Sequence, residues 1–401
     1  MRRIRSTTAQ LAILLLARIS LDLDFQSITL YFSTLSKSFN VQLWLMGFLV
    51  SIYSIFILFS PLFGSLSDQY GRRRFLTIGL IIFAISSGLM AIAQNWLIIL
   101  LARAIAGLGK AIFLPALLAE LGDQYAYEKR SRTMGFVRLS WPITFIFGVP
   151  LVGYSIEHLS WRIPFIALGL LALCSSILIS LMESSNDKSR SQGPILEQSL
   201  SLFKRVVSNR SALSGLLLTF FAVGAIQGIF AFFPIWMETK FQIKETEISV
   251  ILAFMGVGTL FGTLLATWIG DRIGPKRCVI SGLLIAAGCM IFLAHFSFNY
   301  IFVMFWLILL GTAFDFSMSE VPVLLTQVAS ASKGTVLSIN QALNAGASAI
   351  GSGLSGILWT NFGYSAIGLV FSSTALLGVS IGYFNIQVTS NPELEIHPVS
   401  Q

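Results

Sequence analysis

The chain has 401 residues, of which 55% are hydrophobic and only 11% are charged, and its net charge at pH 7 is +8. Soluble domains carry about 25% charged residues, so this composition excludes an ordinary water-exposed globule and indicates a polytopic membrane protein. The three cysteines lie in apolar segments without a CxxC or a Cys/His cluster, which suggests neither a disulfide framework nor a metal site.

Twelve apolar runs of the sequence are long enough to cross about 30 Å of hydrocarbon. They lie at 11–35, 41–64, 75–94, 96–119, 134–157, 162–182, 211–237, 247–269, 278–296, 300–327, 334–358 and 364–386. The start, MRRIR before an apolar run, resembles a signal peptide, but no small-residue cleavage site follows, so an uncleaved first helix is expected. The one long polar interval divides the predicted domains into a six-helix bundle at 1–183, a central loop at 184–210 and a six-helix bundle at 211–401.

Basic residues outside these runs are divided unequally between the two sides of the membrane. With the N-terminus inside, eighteen fall on its side, including the RRR at 72–74, and four on the other. By the positive-inside rule, both termini and the central loop are expected in the cytoplasm, in a plasma or bacterial inner membrane. The positive charge is therefore a topology signal, with membrane lipids and not nucleic acid as expected partners.

The two predicted halves also repeat. GSLSDQYGRRR (64–74) follows the second run, TWIGDRIGPKR (267–277) follows the eighth, and their aspartates are 203 residues apart. The same offset relates GVPLVG (148–153) to GSGLSG (351–356). Internal duplication is typical of secondary transporters, in which the substrate site lies between the repeats. The predicted fold is an all-α membrane protein of two pseudo-symmetric six-helix bundles.

These motifs resemble those of the major facilitator superfamily over nearly the whole chain. GxxxDxxGRRR (64–74) is similar to the signature between its second and third helices, although Gln69 replaces the usual basic residue. LARAIAGLGKA (101–111) resembles its fourth-helix motif. FGVPLVG (147–153) resembles the fifth-helix motif of its drug:proton antiporter branch, although Val149 interrupts the usual Gly-Pro pair. The resemblance implies a transporter without cofactors that works as a monomer, with spans one, four, seven and ten around a central cavity.

The resemblance assigns the repeated loops to a latch between the halves on the cytoplasmic side. The residues of this cytoplasmic gate are Gly64, Asp68, Gly71, Arg72 and Arg74, with Asp271 and Gly274 as counterparts. A simple topology anchor is the alternative role for the arginines. GSGLSG matches GxGxxG by letters, but no strand precedes it, so close helix packing is favoured over nucleotide binding. The residues expected to permit close packing or a bend are Gly107, Gly148, Pro150, Gly153, Gly351 and Gly356.

Charged side chains inside the first run indicate which of its sides faces inward. At about 100° per residue, Asp22 lies about 40° and Gln26 about 80° from Arg18, so these residues form one polar stripe. Asp24 lies on another side of the helix and is expected to meet a neighbouring helix. The two aspartates therefore have different predicted roles.

Other runs carry polar stripes of similar width. Arg103 and Lys110 share one face of the fourth run. Asp315 belongs to a stripe of the tenth run, Glu320 lies about 140° away from it, and Asn344 lies on the polar side of the eleventh run. The candidates for proton coupling or substrate binding are Asp22, Asp315, Arg18, Gln26, Arg103, Lys110, Asp24, Glu320 and Asn344.

Desolvation favours the neutral form of a carboxylate and a nearby cation favours the charged form. A cavity that opens alternately changes both effects, so Asp22 or Asp315 is expected to load and release a proton. Static ion pairing, for example of Arg18 with Asp22, is the alternative. Arg138 is expected to extend towards the lipid boundary.

The predicted function is secondary active transport of a small molecule by alternating access. Proton-coupled efflux by antiport is the leading hypothesis, and a proton symporter or uniporter for a nutrient is the alternative. A transporter-like receptor or lipid-binding scaffold is a more remote one. The sequence has no P-loop, nucleophile elbow or HExxH motif, so an enzyme is not expected.

Overall fold

The computed structural model describes residues 7–124, 136–182, 206, 208–329 and 333–387. Most of the predicted central loop at 184–210 lies outside this part of the chain. The side chains of Asp68 and Asp271, two members of the predicted gate, also lie outside it.

The described chain is built from helices. In the first half the α-helices are Thr7–Ser27, Phe32–Phe39, Gly47–Ile57, Ser60–Tyr70, Arg72–Ala91, Trp96–Gln124, Ser140–Ile143, Val149–His158 and Ile163–Ser180. The 3-10 turn Ile28–Tyr31 joins the first two, and the 3-10 turn Leu43–Met46 precedes the third. The π-helical turn Thr144–Gly148 lies between Ser140–Ile143 and Val149–His158. In the second half the α-helices are Arg210–Ala231, Phe233–Phe241, Glu245–Ile273, Pro275–His295, Tyr300–Val328 and Lys333–Asn385.

Ten helical segments of the described chain are long and apolar enough to cross a membrane. The last of them, Gly334–Asn385, is two crossings, because Gly363 has φ 75° and ψ −174° and interrupts the helix there. The charged first segment, 7–39, adds one more. The twelve helices predicted from the sequence are thus confirmed, and we refer to them as the first to twelfth spans.

Three hydrophobic cores show how the two halves sit together. We call the end of the bundle that holds Thr7 and Asn385 the terminal end, and the opposite end the distal end. One core draws residues from both halves at the distal end, including Phe32 and Phe232, whose ring centroids are 5.8 Å apart. Each half has a second core of its own at the terminal end. The halves are therefore joined distally and separate towards the terminal end.

Ion pairs between the halves reinforce the distal contact. Lys37 Nζ lies 2.9 Å from Glu238 Oε1, and Lys244 Nζ lies 3.1 Å from Glu157 Oε1. These four residues, which we call the distal latch, connect the first and fifth spans of one half to the seventh and eighth of the other. The interface between the halves is closed at this end.

The internal repeat is visible in glycines that permit close helix crossings between the halves. A Cβ atom at Gly153, on the fifth span, would collide with Ser249 on the eighth. Its equivalent Gly356, on the eleventh span, would collide in the same way with the Trp44 carbonyl at the start of the second. The two crossings are therefore related by the pseudo-symmetry, and both depend on the absence of a side chain.

A second pair of equivalent glycines packs inside each half. A Cβ atom at Gly148 would lie 2.7 Å from Leu23 Cδ1 of the first span. At Gly351 it would meet the Gly224 carbonyl of the seventh span. GSGLSG thus lies within a helix that packs on another helix, as the sequence predicts.

Candidate functional site

Asp22 is the centre of a buried polar cluster in the first half. Its Oδ2 accepts hydrogen bonds from Arg18 Nε at 3.1 Å and from Ser140 Oγ at 2.7 Å, and its Oδ1 accepts one from Lys110 Nζ at 3.2 Å. Two cations therefore share one carboxylate, which leaves the cluster with an excess of one positive charge. The helical spacing of Arg18 and Asp22 produces one of these contacts, and the fourth and fifth spans supply the others.

Asp24 forms a separate ion pair on another side of the first span. Arg103 Nη1 lies 2.7 Å from Asp24 Oδ2, and the Arg103 side chain is completely buried. Its guanidinium also lies 4.4 Å from the centre of the Tyr53 ring. One turn along the fourth span, Gly107 has no room for a Cβ atom because the Tyr53 carbonyl lies there. Close packing of the second and fourth spans thus encloses this ion pair.

Gln26 connects the first span to an irregular part of the fifth. Thr144 Oγ1 donates to Gln26 Oε1 at 2.6 Å, and Gln26 Nε2 donates to the Trp141 carbonyl at 3.4 Å. Thr144 begins the π-helical turn, which ends at Gly148, and Pro150 lies in the first turn of the next helix. The bend expected around Pro150 therefore lies beside the polar stripe of the first span.

One ion pair near the middle of the bundle crosses between the halves. Arg138 Nη2, on the fifth span, lies 3.8 Å from Asp315 Oδ1, on the tenth. Thr263 Oγ1 donates to Asp315 Oδ2 at 3.3 Å. The Arg138 side chain is 40% exposed and the Asp315 side chain 13%. The prediction that Arg138 extends to the lipid boundary is wrong, because its long side chain reaches an opposing carboxylate across the interface.

The remaining candidates of the second half lie apart from this ion pair. Glu320 lies against the eighth span of its own half, where a Cβ atom at Gly270 would meet its carboxylate. Asn344, on the eleventh span, has a buried Oδ1 that accepts no hydrogen bond from any described residue. The structure therefore brings Arg18, Asp22 and Lys110 together, and leaves Glu320 and Asn344 outside that cluster.

The glycines of the predicted gate hold the turns at the terminal end. Gly71 and Gly274 have φ values of 101° and 87°, which residues other than glycine rarely adopt, and each glycine separates two spans. Gly64 lies near Pro115 of the fourth span, because a Cβ atom at Gly64 would be 3.5 Å from the proline Cβ. These turns fix where the next helices begin.

The arginines after Gly71 contact the fourth span. Arg72 Nη1 donates to the Ala119 carbonyl, and Arg73 Nε lies 3.0 Å from Glu120 Oε1. Arg74 is exposed. The predicted gate includes Arg72 and Arg74, and their neighbour Arg73, which was not predicted, forms an ion pair with Glu120.

Sequence reasoning missed Ser140, Thr144 and Glu120, and it missed the pairing of Arg138 with Asp315. Ser140 and Thr144 are four residues apart, so a polar stripe on the fifth span could have been found from their spacing. No pattern in the sequence identifies the partners of Arg138 and Arg73. Helical periodicity indicates on which side of its own helix a residue lies, but not which other helix that side faces.

An apolar recess lies outside the polar cluster. The recess has a volume of about 250 Å³ and is lined mainly by the second and fourth spans, including Phe48 and Trp96. It contains no charged side chain and is separate from Asp22 and Asp315. Within the described residues, no group of His, Cys, Asp and Glu could hold a metal ion.

Comparison with known proteins gives a consistent result. The sequence profile described as Major Facilitator Superfamily matches residues 14–240 and 215–398. The chain is 26% identical to the MFS-type transporter YwfA of Bacillus subtilis over 352 residues, which is 87% of this chain and 85% of YwfA. It is 26% identical to Multidrug resistance protein 2 of the same organism over 78% of this chain and 80% of that protein. It is 25% identical to Quinolone resistance protein NorA of Staphylococcus aureus over 57% of each chain.

Solved structures share the fold at low sequence identity. A mutant of the nucleoside transporter NupG superposes with a TM-score of 0.78 at 16% identity, covering 94% of this chain and all of the other. The D-xylose-proton symporter superposes with a TM-score of 0.77 at 18% identity, covering 96% and 99%. At these identities the likeness concerns the arrangement of the helices.

Proposed function

Since the chain belongs to the Major Facilitator Superfamily, a family of membrane transporters and not of enzymes, we propose that it exports a small molecule in exchange for protons. The transport cycle is alternating access, in which the two halves separate at one end while they close at the other. The terminal end is cytoplasmic and the membrane is the plasma or bacterial inner membrane. The distribution of basic residues supports this orientation.

The direction of transport is proposed from the sequence relatives. Two of them are named Multidrug resistance protein 2 and Quinolone resistance protein NorA, and the first spans most of this chain. The likeness to the nucleoside transporter and the xylose-proton symporter concerns the fold alone. The proposal of export therefore rests on the names of these sequence relatives, and the proposal of proton coupling rests on the geometry of the charged residues.

The contact of Arg138 with Asp315 carries the proposal. It is an ion pair between the halves away from the closed distal end, so movement of one half against the other changes it directly. Its N–O distance of 3.8 Å exceeds that of a hydrogen bond, and Thr263 donates the one hydrogen bond that Asp315 accepts from a described residue. Among the described residues, Asp315 therefore lacks a cation within hydrogen-bonding distance, whereas Asp22 and Asp24 each accept a hydrogen bond from one.

Asp315 can then couple the two fluxes. In the conformation closed at the distal end, Arg138 neutralises the carboxylate until a cationic group of the substrate takes its place. After the halves have closed at the terminal end, a proton from outside displaces the substrate. The neutral aspartic acid returns at lower cost than an unpaired carboxylate would, because a buried charge without a partner is expensive.

Asp22 and Asp24 have a different role in this scheme. Both are held by cations of their own half, at distances of 2.7 to 3.2 Å, and rocking of the halves leaves those contacts intact. Asp22 therefore fixes the positions of Arg18 and Lys110, and Asp24 fixes the fourth span against the first. Proton exchange at Asp22, the other candidate, would require rupture of a cluster inside one bundle.

Reconstituted proteoliposomes with an imposed pH gradient test the proposal. Substrate is expected to move against the proton flux, and Asp315→Asn to abolish acceleration by the gradient while exchange without a gradient remains. Glu247→Gln, on an exposed distal residue, is the matched control. A flux unaffected by protonophore, or full coupling in Asp315→Asn, would refute the role of Asp315.

A symporter is the second candidate, and the same ion pair is the reason. Protonation of Asp315 removes the counter-charge of Arg138, which would favour an anionic substrate travelling with the proton. A pH dye inside the vesicles separates the two cases. Antiport drives protons opposite to the substrate and symport drives them with it.

A further inference from the structure

Arg18 has unused hydrogen-bonding capacity at the edge of the Asp22 cluster. Its Nε donates to Asp22, but no described residue accepts a hydrogen bond from Nη1 or Nη2, and the side chain is 17% exposed. Lys110, on the other side of Asp22, adds the second cation of the cluster. A guanidinium presents paired N–H groups that match a carboxylate. The Asp22 cluster, with its excess positive charge, is therefore suited to an anionic group.

The opposite half offers a carboxylate. Asp315 accepts one hydrogen bond from a described residue, whereas an ionised carboxylate has about four acceptor positions. An ammonium group carries three donors and needs acceptors of this kind. This side of the interface is suited to a cationic group.

Aromatic surface lies beside the Asp22 cluster, where Lys110 Nζ is 4.7 Å from the centre of the Phe25 ring. Phe25 and Trp141 are half-buried, with ring centroids 6.5 Å apart, and Trp141 follows directly after Ser140, the hydroxyl donor to Asp22. Rings in this position provide a flat apolar contact for an aromatic body. Arg138, two residues before Ser140 on the same span, links this region to Asp315.

We infer that the substrate is an amphoteric aromatic compound, with a carboxylate bound by Arg18 and an amine bound by Asp315. The inference rests on the proposed function, because the amine is the group that competes with the proton at Asp315. When the amine displaces Arg138 from Asp315, the carboxylate supplies the counter-charge that Arg138 has lost. A simple cation would leave Arg138 unpaired beside the positively charged Asp22 cluster, and a simple anion would use only one side of the interface.

Three probes on one scaffold test the inference by equilibrium binding to the purified full-length protein. They are aminomethyl-naphthoic acid, its methyl ester, which lacks the negative charge, and its N-acetyl derivative, which lacks the positive charge. The parent compound is expected to bind at least about tenfold more tightly than either derivative, since each blocked end loses a charge-assisted contact. The comparison in the wild-type protein needs no variant.

Two variants assign the ends of the ligand. Arg18→Gln is expected to remove the preference for the parent over the ester while keeping the preference over the N-acetyl derivative, and Asp315→Asn is expected to do the reverse. Arg18→Lys keeps the positive charge and is expected to retain most of the preference for the parent compound over the ester. Arg210→Gln, at the terminal end where Arg210 contacts Asn385, and Glu247→Gln are the matched controls and leave both ratios unchanged.

The inference is overturned if either derivative binds as tightly as the parent, if no probe binds saturably, or if Arg18→Gln leaves the parent-to-ester ratio intact. Binding is measured without any gradient, so its result is independent of coupling. If the parent binds with the expected ratios but a pH gradient does not move it, the substrate class stands and the proposed antiport fails. If a pH gradient drives the transport of another compound while the parent binds no more tightly than its derivatives, the proposed antiport stands and the substrate class fails.

Discussion

Arg103 on the fourth span and Asp24 on the first form a 2.7 Å ion pair whose side chains are 0% and 3% exposed. Two charges withdrawn from solvent are tolerable only as partners, because either one alone would keep the full cost of desolvation. Arg103 also donates to the Leu49 carbonyl at 3.4 Å, so three spans of the first half meet at one guanidinium. This arrangement points to an anchor within the bundle.

Loss of Arg103 alone is expected to destabilise the protein strongly. Arg103→Met leaves the Asp24 carboxylate buried without its cation, and the free energy of unfolding should fall by about 3–5 kcal/mol. Adding Asp24→Asn should recover much of this loss, because the amide carries no charge. Thermal unfolding in detergent, followed by tryptophan fluorescence, measures both effects. A loss below about 1 kcal/mol, which is typical of exposed pairs, would contradict an anchoring role.

The glycines at the crossings between the halves permit a matched test. Gly153→Ala and Gly356→Ala place a methyl group against Ser249 and the Trp44 carbonyl, respectively, so they should weaken the distal contact. Gly288→Ala is the control, because a Cβ atom there meets nothing within 4 Å and alanine should stabilise that helix by about 0.5–1 kcal/mol. Hydrogen exchange should become faster at the start of the eighth span in Gly153→Ala and at the start of the second span in Gly356→Ala, and at neither place in Gly288→Ala. Equal exchange in all three would show that the crossings are not tight.

Much of the fold could be predicted from the sequence because lipid imposes a simple rule. A span must be apolar over a fixed length, so the apolar run at 364–386 corresponds to the helix that resumes after Gly363. The first span extends beyond its apolar run, to Phe39, because the amphipathic helix Phe32–Phe39 follows the 3-10 turn. Hydropathy alone does not include such an extension.

The candidate site was less predictable because it depends on partners. Helical angles separate Asp22 from Asp24 correctly, and the structure places them in different ion pairs. They do not say that Arg103 belongs to Asp24 and Lys110 to Asp22, because both cations share a face of one helix. The contact of Arg138 with Asp315 depends on how the two halves are oriented, and no local pattern encodes it.

The arginines at the terminal end are expected to differ in importance. Arg73→Gln removes the cation from Glu120, whose side chain is 5% exposed, so it should lower the unfolding temperature more than Arg74→Gln does at an exposed position. Glu120→Gln added to Arg73→Gln should restore part of the stability. Thermal unfolding of the four proteins, including the wild type, measures the differences. Greater damage from Arg74→Gln would indicate that its role lies in the transport cycle or at the lipid surface.

The distal latch should influence which end of the transporter is open. Glu157 lies 3.1 Å from Lys244 and accepts a hydrogen bond from the Thr246 amide at 3.4 Å, so Glu157→Lys replaces attraction between the halves by repulsion. Adding Lys244→Glu restores opposite charges. The Lys244 side chain is 72% exposed and exposed pairs contribute only about 0.2–1 kcal/mol, so the single variant should shift the equilibrium by less than about tenfold.

Spin labels report the opening directly. Leu159→Cys and Phe298→Cys place labels at exposed distal positions in the two halves, on a Cys174→Ser background that removes the exposed native thiol. Glu157→Lys should lengthen the distance between the labels, and Lys244→Glu should reverse the change. The effect should weaken between 0.1 M and 1 M salt, as the Debye length falls from about 10 Å to about 3 Å. A distance that is the same in all variants would mean that packing of Phe32 on Phe232, and not charge, holds the distal end closed.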